Sequence, residues 1–433
     1  MAKLKAGVVA VDITPPVGVD MTGFGGRPSG AVGIHDPLYA KALVLDDGNT
    51  KLAVVTTDLL SLDFELVDKI RSLLEEKLGI PPTNVMLNSS HTHSGPATIT
   101  LHGLGEPDSA YLDVLYRKIA GAVIMANDQL SPAKLGYGRG SVQIGVNRRE
   151  KRASDMVLGV NPKGAIAPYV DVIRVDKQAT CAGIFFSHAA HPVVLGDSNL
   201  LISADYPGYA TLTVETIEKK SVAMFAQGCC GNINSGIRGT FENARKLGTI
   251  LGSAVIGVAE QIEPVDEVEL SAESSILKLP LKDPLPEAEA QRLVDQYAEE
   301  LDRVKEQGLD RPQSYLAQGM FDWASDMLKL SKEGNIERVQ KFEVQIMKIG
   351  NIALIGLSGE VFVDFALEID EKSPPDINTI VLGYTNGCIG YVPTENAYPE
   401  GGYEVDTAYK YYGTLMIKPE SHKMIIDAVM SML

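Results

Sequence analysis

Residues 51–88, KLAVVTTDLLSLDFELVDKIRSLLEEKLGIPPTNVMLN, read as a strand, a helix and a second strand. Lys51–Thr57 is short, apolar and rich in β-branched side chains, which suit a pleated surface. Phe64, Val67, Ile70, Leu73, Leu74 and Leu78 then recur at intervals that place them on one stripe of an amphipathic helix. Ser61 is a candidate N-cap for that helix. Gly79 followed by Pro81 stops it, since glycine accepts the left-handed cap and proline cannot continue the ladder. Asn84–Asn88 returns to a strand pattern.

The same alternation runs outward in both directions. Strand-like stretches fall at Ala40–Leu45, Tyr169–Val175, Cys181–Ser187, Val222–Gln227, Val344–Leu357 and Thr379–Tyr384. Helical ones fall at Ala110–Asn127, Pro207–Lys219, Glu242–Gln261 and Glu420–Met432. The fold class expected is therefore α/β with mixed sheets, in one domain over residues 1–433. No internal repeat is visible. From Leu285 to Lys332 the pattern is helical only, with Leu293, Tyr297, Leu301 and Val304 at helical spacing. Gly308 and Pro312 break it before a second helix carrying Phe321 and Trp323. This reads as a helical hairpin inserted at 285–332, either packed on the body or capping a pocket.

Composition narrows the function. Against 39 Lys and Arg stand 56 Asp and Glu, a net charge of −17, which argues against nucleic-acid binding because phosphate recognition needs a basic face. No apolar run reaches the roughly 20 residues that span a bilayer. The opening MAKLKAGVVAVDITPP lacks the apolar core and cleavage site of a secretory signal. Cys181, Cys229, Cys230 and Cys388 form neither a disulfide framework nor a zinc-type CxxC, so a reducing, cytoplasmic compartment is expected.

Five of the 7 histidines fall near two strand ends: His91, His93 and His102 after Asn84–Asn88, and His188 and His191 after Cys181–Ser187. Ligands collect at such ends in α/β proteins. In an extended segment, residues two apart share a face, so His91 and His93 would look into one site. Pro192 holds His191 extended. Spacing alone thus suggests a His91/His93/His191 zinc site, imidazole being the commonest metal ligand. Histidine and carboxylate donors also suit iron, manganese or nickel.

Several short motifs occur in a fixed order. They are Asp12-Ile-Thr-Pro-Pro16, Gly33-Ile-His-Asp36, His91-Thr-His-Ser-Gly-Pro96, Asn147-Arg148, His191-Pro192, Ser203-Ala-Asp205, Gly208-Tyr209, Gly359-Glu360 and Gly390-Tyr391. In order and local sequence they resemble the catalytic domain of the neutral/alkaline (non-lysosomal) ceramidases, zinc amidases that hydrolyse the N-acyl bond of ceramide. The resemblance implies that His91, His191, Glu360 and Tyr391 hold zinc. It makes His93 a catalytic neighbour of the metal, with Arg148 and Tyr403 as further active-site groups.

One loop departs from that pattern. Where the family carries G-D-x-S-P-N, this chain has Gly231-Asn232-Ile-Asn234-Ser235. Asn234 stands in place of the serine, and an amide cannot act as a hydroxyl nucleophile. Gly231 and Asn234 are expected to contact substrate. With the sequence ending at Leu433, the C-terminal β-sandwich domain that the resemblance would imply is expected to be absent. The reading is a zinc hydrolase cleaving the amide of a small N-acyl compound other than ceramide. A zinc esterase or lactonase, a carbohydrate-active enzyme, or a non-catalytic metal-binding domain are the alternatives. Oligomeric state stays open, a homo-oligomer included.

Overall fold

The computed structural model describes residues 3–308, 310–334 and 336–433. Three sheets organise it, and each contains one parallel pair joined through a helix. In the first sheet, Lys51–Thr57 pairs in parallel with Val85–Ser89 through the helix Phe64–Leu78. Tyr39–Asp46 and Lys5–Asp12 extend it antiparallel. In the second, Thr180–His188 pairs in parallel with Val222–Gln227 through Asp205–Ile217, and Tyr169–Lys177 and Lys134–Ser141 follow antiparallel. In the third, Ile352–Leu357 pairs in parallel with Asn378–Leu382 through Val363–Lys372. Val339–Ile349 and Leu270–Pro280 complete it. A smaller sheet pairs Gly145–Arg152 with Asp155–Asn161 and Ile233–Ser235.

The three large sheets meet on a shared apolar core. Val54 and Met86 from the first, Phe185 and Met224 from the second, and Leu354 and Ile380 from the third belong to one buried cluster. Helices cover the outer faces: Phe64–Leu78 and Ser109–Asp128 on the first sheet, Asp205–Ile217 and Phe241–Ala259 on the second. Packing against a common core turns the C-terminal ends of all three parallel pairs toward one region. This threefold strand–helix–strand recurrence was invisible in the sequence, because the units share a hydrophobic period and no signature residues.

The structure differs from the local sequence pattern in three respects. The helix Phe64–Leu78 is capped by Asp63, whose carboxylate accepts from the Leu66 amide, and not by Ser61. Ser61 instead hydrogen-bonds the Leu62 carbonyl. Val344–Leu357 is not one strand but parts of two, Val339–Ile349 and Ile352–Leu357, reversed at Gly350 with φ +59°. The glycine-rich Lys134–Ser141 and the charged Gly145–Arg152 are strands that no apolar alternation announced. Residues 285–332 contain two helices, Glu287–Glu306 and Arg311–Lys332, separated at Gly308 with φ +60°. They share Leu301, Val304 and Ala317 in a small core of their own.

Candidate metal centre

Five side chains of the site follow the ends of strands in the parallel pairs. His91 and His93 follow Val85–Ser89, His191 follows Thr180–His188, Glu360 follows Ile352–Leu357 and Tyr384 follows Asn378–Leu382. Asn88 stitches three of these ends together. Its amide donates to the carbonyls of Gln227 and Gly383, and its oxygen accepts from the Gln227 amide. Gln227 in turn donates to the carbonyls of Ser90 and Ala190, the residues just before His91 and His191. Ser203 braces the first histidine loop, its carbonyl accepting from Thr92 and its amide donating to the Ser94 carbonyl.

His91 is not in extended backbone. It sits at φ +65°, a left-handed conformation that costs a side chain about 1–3 kcal/mol and marks functional loops. It is this turn, not strand alternation, that brings His91 and His93 together. Gly23 makes room for the second ring, since a Cβ there would lie 2.4 Å from His93 Nδ1.

All three imidazoles are oriented alike. Nδ1 of His91 faces the Leu60 carbonyl at 2.9 Å, that of His93 the Gly23 carbonyl at 3.1 Å, and that of His191 the Cys230 carbonyl at 2.6 Å. A carbonyl only accepts, so each Nδ1 carries the hydrogen and each Nε2 presents a lone pair. The three Nε2 atoms lie within 4.8 Å of one another. His91 Nε2 is 3.2 Å from His93 Nε2 and 3.3 Å from Glu360 Oε2, and His191 Nε2 is 3.2 Å from the same oxygen. Donors about 2.0–2.1 Å from a tetrahedral ion stand about 3.3 Å apart, so the group fits a metal of that kind. Burial, reinforced by the neighbouring His91, keeps His93 well below the usual histidine value. Burial and then the Arg148 charge bring His191 down to about 4. Both rings are thus neutral at pH 7, the form that binds metal.

Arg148 closes one side. It is 5 % exposed, and its Nε donates to Glu404 Oε1 at 2.8 Å. Nη2 donates to Tyr391 Oη at 2.8 Å, while Nη1 lies 3.4 Å from both His191 Nε2 and Asn234 Oδ1. One guanidinium therefore spans the Tyr391 oxygen and the His191 imidazole. Glu360 and Tyr391 are register partners in adjacent parallel strands, which sets their side chains side by side. Tyr403 stands edge-on to Tyr391 with ring centroids 5.7 Å apart, and the Arg148 guanidinium lies 5.9 Å from its ring.

The departing loop is built into the same region. The Asn232 side chain accepts from the Val363 amide and donates to Asp364, so it caps the helix that follows Glu360. Asn234 reaches Arg148. Gly231 packs beneath the short strand Glu360–Val361: its amide donates to the Val361 carbonyl, and a Cβ would lie 2.4 Å from the Glu360 carbonyl oxygen. Close backbone approach explains that glycine. Sequence reasoning missed Glu404, which accepts from both Arg148 and Arg149. It also missed Tyr384, stacked on His91 at 4.0 Å, and Tyr412, whose hydroxyl reaches Glu360. Their only sequence signal was adjacency to recognised features: Glu404 to Tyr403, and Tyr384 at a strand end.

Fold and site together define a class, a mixed α/β protein whose strand ends carry an imidazole–carboxylate group able to hold a metal. Within that class the chain belongs to the neutral/alkaline non-lysosomal ceramidase family, of which it is a divergent member. The profile of that family's N-terminal region matches residues 4–255. The neutral ceramidase of Pseudomonas aeruginosa is 29 % identical over 273 residues, covering 56 % of this chain and 40 % of that protein. The neutral ceramidase of Mycobacterium tuberculosis is 22 % identical over 461 residues, covering 89 % and 70 %. A crystal structure of the P. aeruginosa neutral ceramidase superposes over all of this chain and 74 % of its own, with a TM-score of 0.74 at 22 % identity. The sequence matches thus span well under half of the P. aeruginosa relative, and 32 % of the neutral ceramidase of Drosophila melanogaster.

Proposed function

We propose that this chain hydrolyses the amide bond of an N-acyl substrate at a zinc ion held by His91, His191, Glu360 and Tyr391. The observation that carries the reading is the convergence of hydrogen-free imidazole nitrogens and the Glu360 oxygen at 3.2–3.3 Å, beside a buried guanidinium. The neutral ceramidases named above supply the reaction type by kinship.

A metal bound there supplies Lewis acidity and makes water a nucleophile near neutral pH. The chain's own groups do the rest. His93 keeps one ring nitrogen tied to Gly23 and turns the other inward, so it accepts a proton from water and returns it to the departing amine. Arg148, held by Glu404, sets a permanent positive charge where the acyl oxygen gains negative charge. Burial, then Glu360, push the Tyr403 phenol up, so it stays protonated and donates to the same oxygen. The bonds to Glu404 and Tyr391 keep the guanidinium from swinging as charge develops.

The substrate belongs to the soluble N-acyl compounds and not to ceramide. Support comes from Asn234: its amide oxygen faces Arg148 where the family pattern has a hydroxyl. The test is release of carboxylic acid from a short-chain ceramide, from a panel of soluble N-acyl amines and amino sugars, and from a matched ester, each with and without chelator. Chelator-sensitive cleavage of soluble amides is expected. Robust turnover of ceramide overturns the substrate assignment, and turnover of the ester alone overturns the reaction.

A further inference from the structure

Glu360 has two oxygens in two different environments. Both imidazole contacts are made by Oε2, at 3.3 Å from His91 and 3.2 Å from His191. Oε1 accepts the Tyr412 hydroxyl at 2.6 Å, the length of a charge-assisted O–H···O⁻ bond. The Tyr384 hydroxyl also approaches Oε2, but at 3.3 Å, and it stands nearer to Cys230 Sγ at 3.1 Å. The short bond is therefore on the oxygen that the imidazoles do not face.

The surroundings hold Tyr412 in that pose. Gly390, at φ +92°, lies flat under the ring, where a Cβ would come within 3.0 Å of Tyr412 Cδ2. Leu60, Ile99 and Leu101 form the small apolar cluster on which the ring packs. The preceding carbonyl, that of Tyr411, accepts the His102 amide at 2.8 Å, tying this segment to the loop that continues from the first histidine pair.

Resting on the metal reading above, we infer that Tyr412 is a positioning residue for Glu360. Its hydroxyl occupies Oε1 and leaves Oε2 as the single oxygen the carboxylate offers a metal. A carboxylate free to rotate can grip an ion with both oxygens and fill a position that water or substrate needs; catalytic zinc sites keep such a position open. Partners of this kind also set affinity, and their loss typically weakens metal binding about 10–100-fold.

The test compares wild type with Tyr412→Phe, which keeps the ring and removes only the hydroxyl. Metal-free protein is titrated with Zn²⁺ against a chromophoric chelator, and the Co²⁺-substituted forms are compared by visible absorption. The expected result is one ion per chain in both, bound about 10–100-fold more weakly by the variant. Its Co²⁺ bands should lose intensity as a second oxygen raises the coordination number. X-ray absorption on zinc-loaded wild type needs no variant to fold: one carboxylate oxygen on the metal supports the inference, and two overturn it. Unchanged affinity and unchanged Co²⁺ bands in a folded variant overturn the inference alone. A wild type that takes up no metal overturns the reading of the site as well.

Discussion

His91 and His93 are two residues apart, and their Nε2 atoms are 3.2 Å apart, yet the two side chains differ in their setting. His91 is 2 % exposed, stacked on Tyr384 and in contact with Glu360. His93 is only partly buried and stands against Phe24, with ring centroids 4.9 Å apart. If His91 binds the metal and His93 moves protons, the two alanine variants separate. His91→Ala should lose most of its metal. His93→Ala should keep it while turnover falls about 10²–10⁴-fold, the usual contribution of general acid–base catalysis. Elemental analysis beside the rate measurement decides the matter; equal metal loss in both would make the three imidazoles the ligand set.

At the scale of elements, the hairpin of Glu287–Glu306 and Arg311–Lys332 leans on two segments of the site. Arg311 donates to both oxygens of Asp20 at 2.8 Å, three residues before Gly23. Trp323 packs edge-on to Tyr297 and Tyr409, with Leu415 in the same cluster, so it grips the loop that carries Tyr412. Trp323→Ala removes the largest side chain of this contact, and large-to-small changes of that kind cost about 3–5 kcal/mol when fully buried. Because the cluster is separate from the core shared by the three sheets, the loss should stay local. Hydrogen exchange is expected to quicken in both hairpin helices and to stay unchanged in Lys5–Asp12. Equal acceleration in that strand would mean that the hairpin is part of the global core.

For the whole molecule, buried ionisable groups make stability depend on pH. Asp205, fully buried at φ +57° at the start of its helix, is raised by desolvation to about 7, although the Leu195 and Tyr206 amides donate to it. A carboxyl whose folded value lies above its unfolded value of about 3.9 binds its proton more tightly in the native state. Its contribution is therefore complete below about pH 4 and is lost as pH rises through 7. His188 works in the opposite sense: burial lowers it to about 4, so its contribution grows as pH rises toward its unfolded value. The difference between wild type and Asp205→Asn isolates the aspartate. From pH 4.5 to 8 the variant should gain on the order of 2–4 kcal/mol relative to wild type, since each tenfold in proton affinity is worth about 1.4 kcal/mol. Urea denaturation at both pH values measures it, and a pH-independent difference would show that Asp205 is ionised throughout.

Much of this was legible in the chain itself. The strand–helix–strand period of residues 51–88, the stop at Gly79 and the position of two histidine loops just past strand ends all follow from local rules. Backbone propensity, side-chain period and capping act over a few residues and need no partner. What the local rules do not reach is closure. His191 and Glu360 meet at 3.2 Å across 169 positions, and Arg71 pairs with Glu343 across 272, only because three sheets share one apolar core. Asp63 takes the cap for which Ser61 was the candidate, because its carboxylate is the one within reach of the Leu66 amide. Arg148 was marked only by its place in a motif, and it is burial with Glu404, which accepts from both Arg148 and Arg149, that makes this charged pair the wall of the site. Residue identity and period determined which elements form and where ligands gather. Packing among elements far apart in sequence decided which donors face one another, since only there are distances of about 3 Å set.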